Sequence, residues 1–250
     1  MEEYKKIHEK YSVIIKQCTI SSRRFMGIPS ETSAHFYASL LFTKLCTCSI
    51  SIRNLSPKPE LIGKDAHWDF GSVASLTRNI IECYLVFFYL CIDKCSKDEW
   101  DARWRLMNLH DHMSRTKLFQ SMGEDVENNK DANNIKKDVL LALNNNVWFQ
   151  KFTQKQQKHY LKGNTAFFKS QDEIIESSGG NISEFRYIYR FLSNNTHSFP
   201  MGFYRMADND RGRGTESGIE VQYTGMCLEW AGHYLSNAES EFVELFENAL

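Results

Sequence analysis

Several patterns that would point directly to a function are missing from this sequence of 250 residues. It contains no phosphate-cradling glycine loop, no Gly-x-Ser-x-Gly elbow and no dinucleotide-binding fingerprint, which excludes three widespread classes of enzyme site. Its formal net charge is -1, with 30 basic and 31 acidic residues, so the overall balance does not indicate a nucleic-acid coat or an acidic substrate. Any charged binding site must therefore be local.

Disulfide and zinc patterns are also missing. The seven cysteines are an odd number and lie among apolar helical neighbours, which predicts buried free thiols in a reducing compartment. Cys91 and Cys95 share a helix face without a second pair at finger spacing, and His110 and His112 point to different faces. We therefore predict no metal site and no cofactor.

The sequence also lacks a clear signal for export or for membrane insertion. The N-terminal stretch MEEYKKIHEKY is charged and lacks the apolar region of a signal peptide, which predicts a cytoplasmic protein. The most apolar run, YLVFFYLCI at residues 84–92, is shorter than the roughly 18 to 20 residues that cross a bilayer. We expect it to be part of a core helix, with no membrane contact.

Helical periodicity runs through almost the whole chain, and only four prolines interrupt it. We predict an all-α fold, a single multihelical bundle over residues 1–250 with its central core at about 68–200. Flexible loops are expected at about 123–133 and 207–218, where the sequence is polar. The predicted helices lie near 3–22, from a cap at Ser30 to about 54, at 69–93, after Ser96, at 134–145, at 147–161 and at 219–248.

The stretch NISEFRYIYRFLSNNTHSFP, residues 181–200, carries the most suggestive polar face. On a helix, four polar residues lie within roughly 60° of one another, namely Arg186, Arg190, Ser193 and His197. The predicted apolar stripe beside them consists of Phe185, Tyr189 and Leu192. Arg190 and His197 would be about 10 Å apart along a continuous helix, which suits a guanidinium and an imidazole on either side of a phosphodiester.

That combination can cleave RNA without a metal. Histidine titrates near neutrality and can move a proton from a 2′-hydroxyl or to a leaving oxygen, while Arg190 would hold the phosphate and Ser193 could bind a phosphate oxygen. The alternative is structural, because a histidine near a helix C-terminus is favoured by the helix dipole without any function.

A second pair of charges lies on the most apolar helix. Arg78 and Glu82 are spaced i, i+4 in LTRNIIECYL, and buried charges are costly unless they are paired or hydrogen-bonded. They either neutralise each other or face a polar pocket. Glu82 could also orient an imidazole or an arginine from the opposite helix, which would join the two sites.

Arg190, six intervening residues and His197 resemble the Arg-x(4-6)-His signature of the HEPN superfamily of all-helical domains, many of which are metal-independent ribonucleases in toxin and antiphage systems. The residue after the arginine, commonly polar in that superfamily, is Phe191 here. A broader pattern over residues 68–200, with RNIIECYLVFFYL followed by Tyr-x-x-x-Leu-Ser-x-x-x-His, resembles an uncharacterised group of bacterial helical proteins. The HEPN resemblance implies a homodimer with opposed Arg–His faces, and cleavage to a 2′,3′-cyclic phosphate.

The leading hypothesis is thus a metal-independent endoribonuclease of HEPN type in bacterial defence or toxin biology, with Arg190 and His197 catalytic and Ser193, Arg186, Arg78 and Glu82 supporting. A non-catalytic helical module that binds RNA, or a partner protein from a defence or toxin operon, is the alternative. A third possibility is a small-molecule or nucleotide sensor with an enclosed pocket lined by Arg78, Glu82 and aromatic residues.

Overall fold

A computed structural model describes residues 1–63, 66–124, 130–197, 200–204 and 212–248. Within these ranges the chain is helical and contains no β-strand, which confirms the all-α prediction. The α-helices are α1 (Glu2–Arg24), α2 (Ser33–Leu55), α3 (Phe70–Phe87), α4 (Lys97–Ser121), α5 (Lys130–Asn144), α6 (Gln154–Tyr160), α7 (Gln171–Ser177), α8 (Ile182–Thr196), α9 (Pro200–Phe203) and α10 (Gly218–Glu247).

The helices group into two compact units. The first unit comprises Met1–Ile92 and Ile174–Leu250, and the second comprises Asp93–Glu173. In the first unit, α3 packs against α2, α8 and α10, while α1 packs against α2 and α10. That α3 lies at the centre follows from its composition, because a helix that is apolar nearly all round must be covered on several sides. The prediction of a single domain stays a prediction.

Helix α3 begins where Asp69 accepts a hydrogen bond from the backbone N–H of Ser72 at 3.0 Å, and it continues into a π-helical turn at Phe88–Ile92. The whole span Phe70–Ile92 is long and apolar enough to cross a membrane by length and composition. Most of it, however, is buried inside the protein, as expected for a core helix.

One of two predicted helix caps is wrong and the other is confirmed. Helix α2 is capped by Thr32 and not by Ser30, because the Thr32 hydroxyl accepts from the backbone N–H of His35 and also contacts the His35 ring at 2.8 Å. The predicted cap at Ser96 is confirmed, since its hydroxyl accepts from the backbone N–H of Glu99 at 3.2 Å.

The second unit differs more from the predictions. The helix expected at 134–145 begins at Lys130, so part of the expected loop at 123–133 is helical, and residues 125–129 lie outside the described residues. The helix expected at 147–161 is divided into a 3-10 turn at Phe149–Lys151 and α6, which Thr153 starts with a reciprocal capping box to Gln156. Of the loop predicted at 207–218, residues 205–211 also lie outside the described part of the chain.

A small aromatic core holds this second unit together. Ala102, Leu143 and Phe149 are fully buried, and Trp148, Phe152, Tyr160, Leu161 and Phe168 pack around them. Arg103 is buried nearby, where its guanidinium donates to Asp93 at 2.8 Å and to Glu99. A buried arginine with two carboxylate partners is a structural ion-pair network.

All seven cysteines are free thiols, as predicted. Five of them are buried, and burial raises the pKa of the Cys18 thiol to about 12 and that of Cys83 to about 11. Since the thiolate is the reactive form, these two side chains act as packing groups.

Candidate functional site

Helix α8 carries the polar stretch that the sequence singles out. Asn181 starts it by accepting from the backbone N–H groups of Ser183 and Glu184, and its apolar stripe of Phe185, Ile188 and Leu192 is buried. The helix ends at Thr196, so His197 is its C-cap residue, with φ −94° and ψ 6°. The predicted distance along the axis assumed a helix that continued through His197, and the chain leaves the helix at that residue.

The structure brings His197 to Arg78 on α3. Nη1 of Arg78 lies 2.8 Å from Nε2 of His197, while Nε of Arg78 donates to Oε1 of Glu82 at 3.0 Å. Nη2 of Arg78 donates to the hydroxyl of Tyr189 at 2.9 Å, and that hydroxyl donates to Glu82 at 2.7 Å. These four side chains are called the Arg–His cluster below: Arg78 and Glu82 from α3, Tyr189 from α8, and His197, the C-cap residue of α8.

The protonation state of the imidazole follows from this geometry. A guanidinium has only donors, so Nε2 of His197 must be the acceptor and carries no proton in this arrangement. The imidazole is then neutral, with its proton on Nδ1. Its proton-accepting lone pair points at the group that would hold an anion.

The charge of Arg78 is fixed by its surroundings. Burial disfavours the charged guanidinium, but the hydrogen bond to Tyr189 and the charge of Glu82 more than offset this and raise the pKa of Arg78 above its ordinary value. The Arg78 side chain is only 17% exposed, compared with 43% for Glu82, and its guanidinium carbon lies 4.8 Å from the centre of the Tyr189 ring. Arg78 is therefore a permanent, oriented cation at the edge of the core.

The other predicted site residues lie further from this contact. Arg186 and Arg190 are exposed on α8, and the backbone carbonyl of Arg190 accepts from the side chain of Asn194 at 2.7 Å. Ser193 is half-buried, and its backbone carbonyl accepts from the N–H of His197 at 3.1 Å. The structure thus joins His197 to Arg78 and Glu82, and leaves the two arginines of α8 on its outer surface.

Two aromatic residues gain roles that the sequence did not assign. Tyr189 was placed in the apolar stripe, yet its hydroxyl links Arg78 to Glu82. The sequence signal for this role was the phenol group of Tyr189 on an apolar helix face, together with the charges of Arg78 and Glu82 on the neighbouring helix. Phe191 packs on Tyr223, Trp230 and Phe70, with ring centres 5.0 to 5.9 Å away, so this residue anchors α8 to the core.

No group of three or more His, Cys, Asp or Glu side chains that could hold a metal ion occurs in the described part of the chain. What the Arg–His cluster offers is an anion-binding guanidinium, a neutral imidazole beside it, and a carboxylate and a phenol that orient the guanidinium. In general, a guanidinium and an imidazole at this distance are groups that can bind a phosphate and transfer a proton.

Comparison with known proteins gives a family and no activity. No curated protein and no solved structure matches the chain. One family model matches residues 35–214, well over half of the chain, and its description assigns no function. This match includes α3 and α8 and confirms the expected likeness to an uncharacterised family. The protein therefore belongs to the family of unknown function DUF5677.

Proposed function

We propose that the protein is a metal-independent endoribonuclease of HEPN type, with the Arg–His cluster as its active site. The observation that carries the proposal is the 2.8 Å contact between Nη1 of Arg78 and Nε2 of His197. It differs from the sequence hypothesis in one respect, because the phosphate-binding arginine is Arg78 of α3, with Arg190 as an outer contact.

An incoming RNA phosphate would exchange places with the imidazole on the guanidinium. Arg78 then donates to phosphate oxygens, and Nε2 of His197 is released to accept the proton of the 2′-hydroxyl. The 2′-oxygen attacks phosphorus and the bond from phosphorus to the 5′-oxygen breaks, which gives a 2′,3′-cyclic phosphate and a 5′-hydroxyl. His197 takes the proton from the 2′-hydroxyl, the leaving 5′-oxygen takes a proton from solvent water, and the imidazolium afterwards returns its proton to the solvent.

Glu82 and Tyr189 are positioning residues in this scheme. They contact Nε and Nη2 of Arg78, which leaves Nη1 directed toward His197 and the substrate. Hydrogen-bond donors that are already oriented are the best stabilisers of the charge that develops in the transition state. Glu82 and Tyr189 would therefore assist catalysis by holding Arg78 in position. The exposed Arg186 and Arg190 would contact neighbouring phosphates. The half-buried Ser193 would support them by binding a phosphate oxygen.

The test is cleavage of total RNA in EDTA by the parent protein and by His197→Ala. We expect the variant to lose at least about 100-fold in rate, the usual contribution of a general acid or base. His233→Ala is the matched control, because His233 is an exposed histidine on α10 that contacts Tyr234 and Asn237 and takes no part in the Arg–His cluster. Cleavage that survives in His197→Ala would refute the mechanism.

A second pair of variants decides between the two arginines. Arg78→Ala should lower the rate by about 100-fold or more, because it removes the oriented donors. Arg190→Ala should cost roughly tenfold or less, since an exposed charge is screened by solvent and salt. The reverse order would assign the phosphate to the arginine of the Arg-x6-His motif.

The alternative remains a non-catalytic module that binds RNA or a partner protein. It is favoured by the ion pair between Arg78 and Glu82, which balances the guanidinium charge without any ligand. Absence of cleavage by the parent protein, combined with retained RNA binding, would support it. The homodimer, the cytoplasmic location and the role in defence or toxin systems stay predictions of the same proposal.

A further inference from the structure

The second unit contains a long stretch of sequence without any acidic residue. Between Asp138 and Asp172 the chain has no aspartate, no glutamate and no arginine. The permanently charged residues of this stretch are Lys151, Lys155, Lys158, Lys162 and Lys169. Because the net charge of the whole chain is -1, basic charge is concentrated here and the remainder of the chain is acidic overall. A segment of one sign creates a local positive potential that attracts anions.

Three of these lysines share one side of α6 and of the turn that follows it. At about 100° per residue, Lys155, Lys158 and Lys162 lie within roughly 60° of one another. The helical path continues past the end of α6, because the backbone N–H of Leu161 donates to the carbonyl of Gln157 at 2.9 Å. All three lysines are exposed. Their side chains are called the lysine face below.

No carboxylate neutralises the lysine face. None of its three ammonium groups forms an ion pair within the described part of the chain. Lys169, in contrast, contacts Asp93 at 2.6 Å and belongs to the buried ion-pair network of this unit. The exposed Lys117 of α4 adds to the positive surface, because its ammonium donates to the side chain of Asn164 at 3.3 Å, two residues after Lys162.

The opposite side of α6 holds the lysine face in position. Tyr160 and Leu161 pack on the aromatic core of the second unit, and Thr153 caps the start of the helix. The side chain of Gln157 donates to the backbone carbonyl of Phe152 at 2.7 Å. The lysine side chains are themselves flexible, but their Cα atoms are spaced by the helix at about 4.5 and 6 Å along its axis.

The chemistry of this surface favours an extended polyanion over a single phosphate group or a membrane. Specific recognition of one phosphate group uses the planar fork of arginine, whereas lysine acts as a point charge, and residues 139–171 contain lysine without arginine. Helices that bind at a membrane surface insert an apolar face. At residues 148–168 no large apolar side chain is exposed, because the aromatic rings pack into the core.

We propose that the lysine face binds a single nucleic-acid strand through its phosphodiester backbone, without reading the base sequence. One strand carries a phosphate charge about every 3.4 Å along its axis, so the roughly 10 Å between Lys155 and Lys162 spans about three phosphates. Three lysines therefore meet a similar number of opposite charges. The choice of RNA as the strand rests on the proposed function, whereas the binding of a backbone does not. The lysine face belongs to the second unit and the Arg–His cluster to the first.

The experiment measures the fluorescence anisotropy of a labelled 2′-O-methyl oligouridine, which keeps the phosphates but has no 2′-hydroxyl to attack them. It is titrated with the purified protein at salt concentrations from about 50 to about 200 mM. We expect the logarithm of the binding constant to fall against the logarithm of the salt concentration with a slope of about −2 to −3, as for three or four phosphates of a single strand. Over this range the binding constant then falls roughly 20- to 50-fold.

Two triple variants with the same change in net charge separate the lysine face from general electrostatic attraction. The first is Lys155→Gln with Lys158→Gln and Lys162→Gln, which should lower the magnitude of the slope by about 2 and weaken binding at least about tenfold at low salt. The matched control changes three exposed lysines of α1 and should keep the slope of the parent: Lys5→Gln, Lys6→Gln and Lys16→Gln. Arginine at the three positions of the lysine face should keep the binding, because backbone contact requires the charge alone.

No binding at low salt, a slope near zero, or an equal loss of binding in both glutamine variants would overturn the proposal. Binding to phosphatidylserine vesicles that depends on the lysine face, without binding to the oligonucleotide, would overturn it in favour of a membrane. Binding to the oligonucleotide by a protein that never cleaves RNA would support the lysine face and end the nuclease proposal. Cleavage of RNA by a protein whose binding does not depend on these lysines would do the opposite.

Discussion

Glu241 on α10 gives the sharpest quantitative prediction. Its Oε1 accepts from the hydroxyl of Tyr84 at 3.0 Å, and its Oε2 is buried without a hydrogen-bond partner in the described part of the chain. Burial raises the pKa of this carboxyl from 4.5 to about 7, the Tyr84 hydrogen bond opposes the rise, and the negative charge of Glu244 adds to it. The folded chain therefore holds a proton on Glu241 at a pH where the unfolded chain has lost it.

The sign of the effect on stability follows from proton linkage. Below pH 4.5 both states are protonated and the stabilising contribution is fully present. Between pH 4.5 and about 7 the folded state binds more protons, so the free energy of unfolding falls as pH rises, and the loss is complete above pH 7. The total loss from this group is about 3 kcal/mol, taking about 1.4 kcal/mol for each tenfold change in proton affinity.

Glu241→Gln removes the titrating group and keeps an oxygen that can accept from Tyr84. We expect the variant to match the parent near pH 4.5 and to unfold at a temperature roughly 5 to 10 °C higher at pH 8. Thermal unfolding followed by circular dichroism at both pH values measures the difference. Glu239→Gln is the control on the same helix, because it leaves Glu241 in place and should keep the parent's pH dependence. A parent–variant difference that is the same at both pH values would refute the burial argument.

Three further substitutions test the site and the packing around it. Tyr189→Phe should keep the fold within about 1 kcal/mol and lower RNA cleavage in EDTA, because Arg78 loses a positioning contact; unchanged cleavage rates would contradict this. Phe191→Ala should cost about 2 to 4 kcal/mol in a urea titration, since the ring anchors α8. Gly163→Ala should cost more than about 1 kcal/mol in the same assay, because φ is +66° and a Cβ would lie 2.7 Å from the Met113 side chain.

The sequence was sufficient for the helices whose apolar periodicity is long and uninterrupted. Helix α10 was expected at 219–248 and occurs at Gly218–Glu247, because its apolar stripe and the Ser217 cap agree. The prediction of one helix at 147–161 was wrong, although the Thr153 capping box that divides this region is visible in the sequence as Thr-x-x-Gln. The other difficulty was the choice between two possible N-cap residues for α2. Ser30 and Thr32 are equally suitable by residue type, and the contact between Thr32 and the His35 ring is visible only in the structure.

The sequence predicted which chemical groups the candidate site contains, but not which arginine contacts His197. The charges of Arg78 and Glu82 on an apolar helix indicated a polar contact, and His197 indicated a proton-transfer group. Local spacing suggested Arg190 as the partner of His197, because i, i+4 and i+7 positions share a helix face. Contact with Arg78 depends instead on how α8 packs on α3, which joins residues that are 119 positions apart in sequence.

The Arg–His cluster has a property that ordinary core packing does not explain. Arg78 and Glu82 introduce charge into the most apolar helix of the chain. A charged pair lowers stability relative to apolar packing of the same shape. Local sequence rules are violated mainly at functional sites. This violation occurs where His197, at the C-terminal end of α8, meets Arg78, which is why the proposed active site is assigned to this contact.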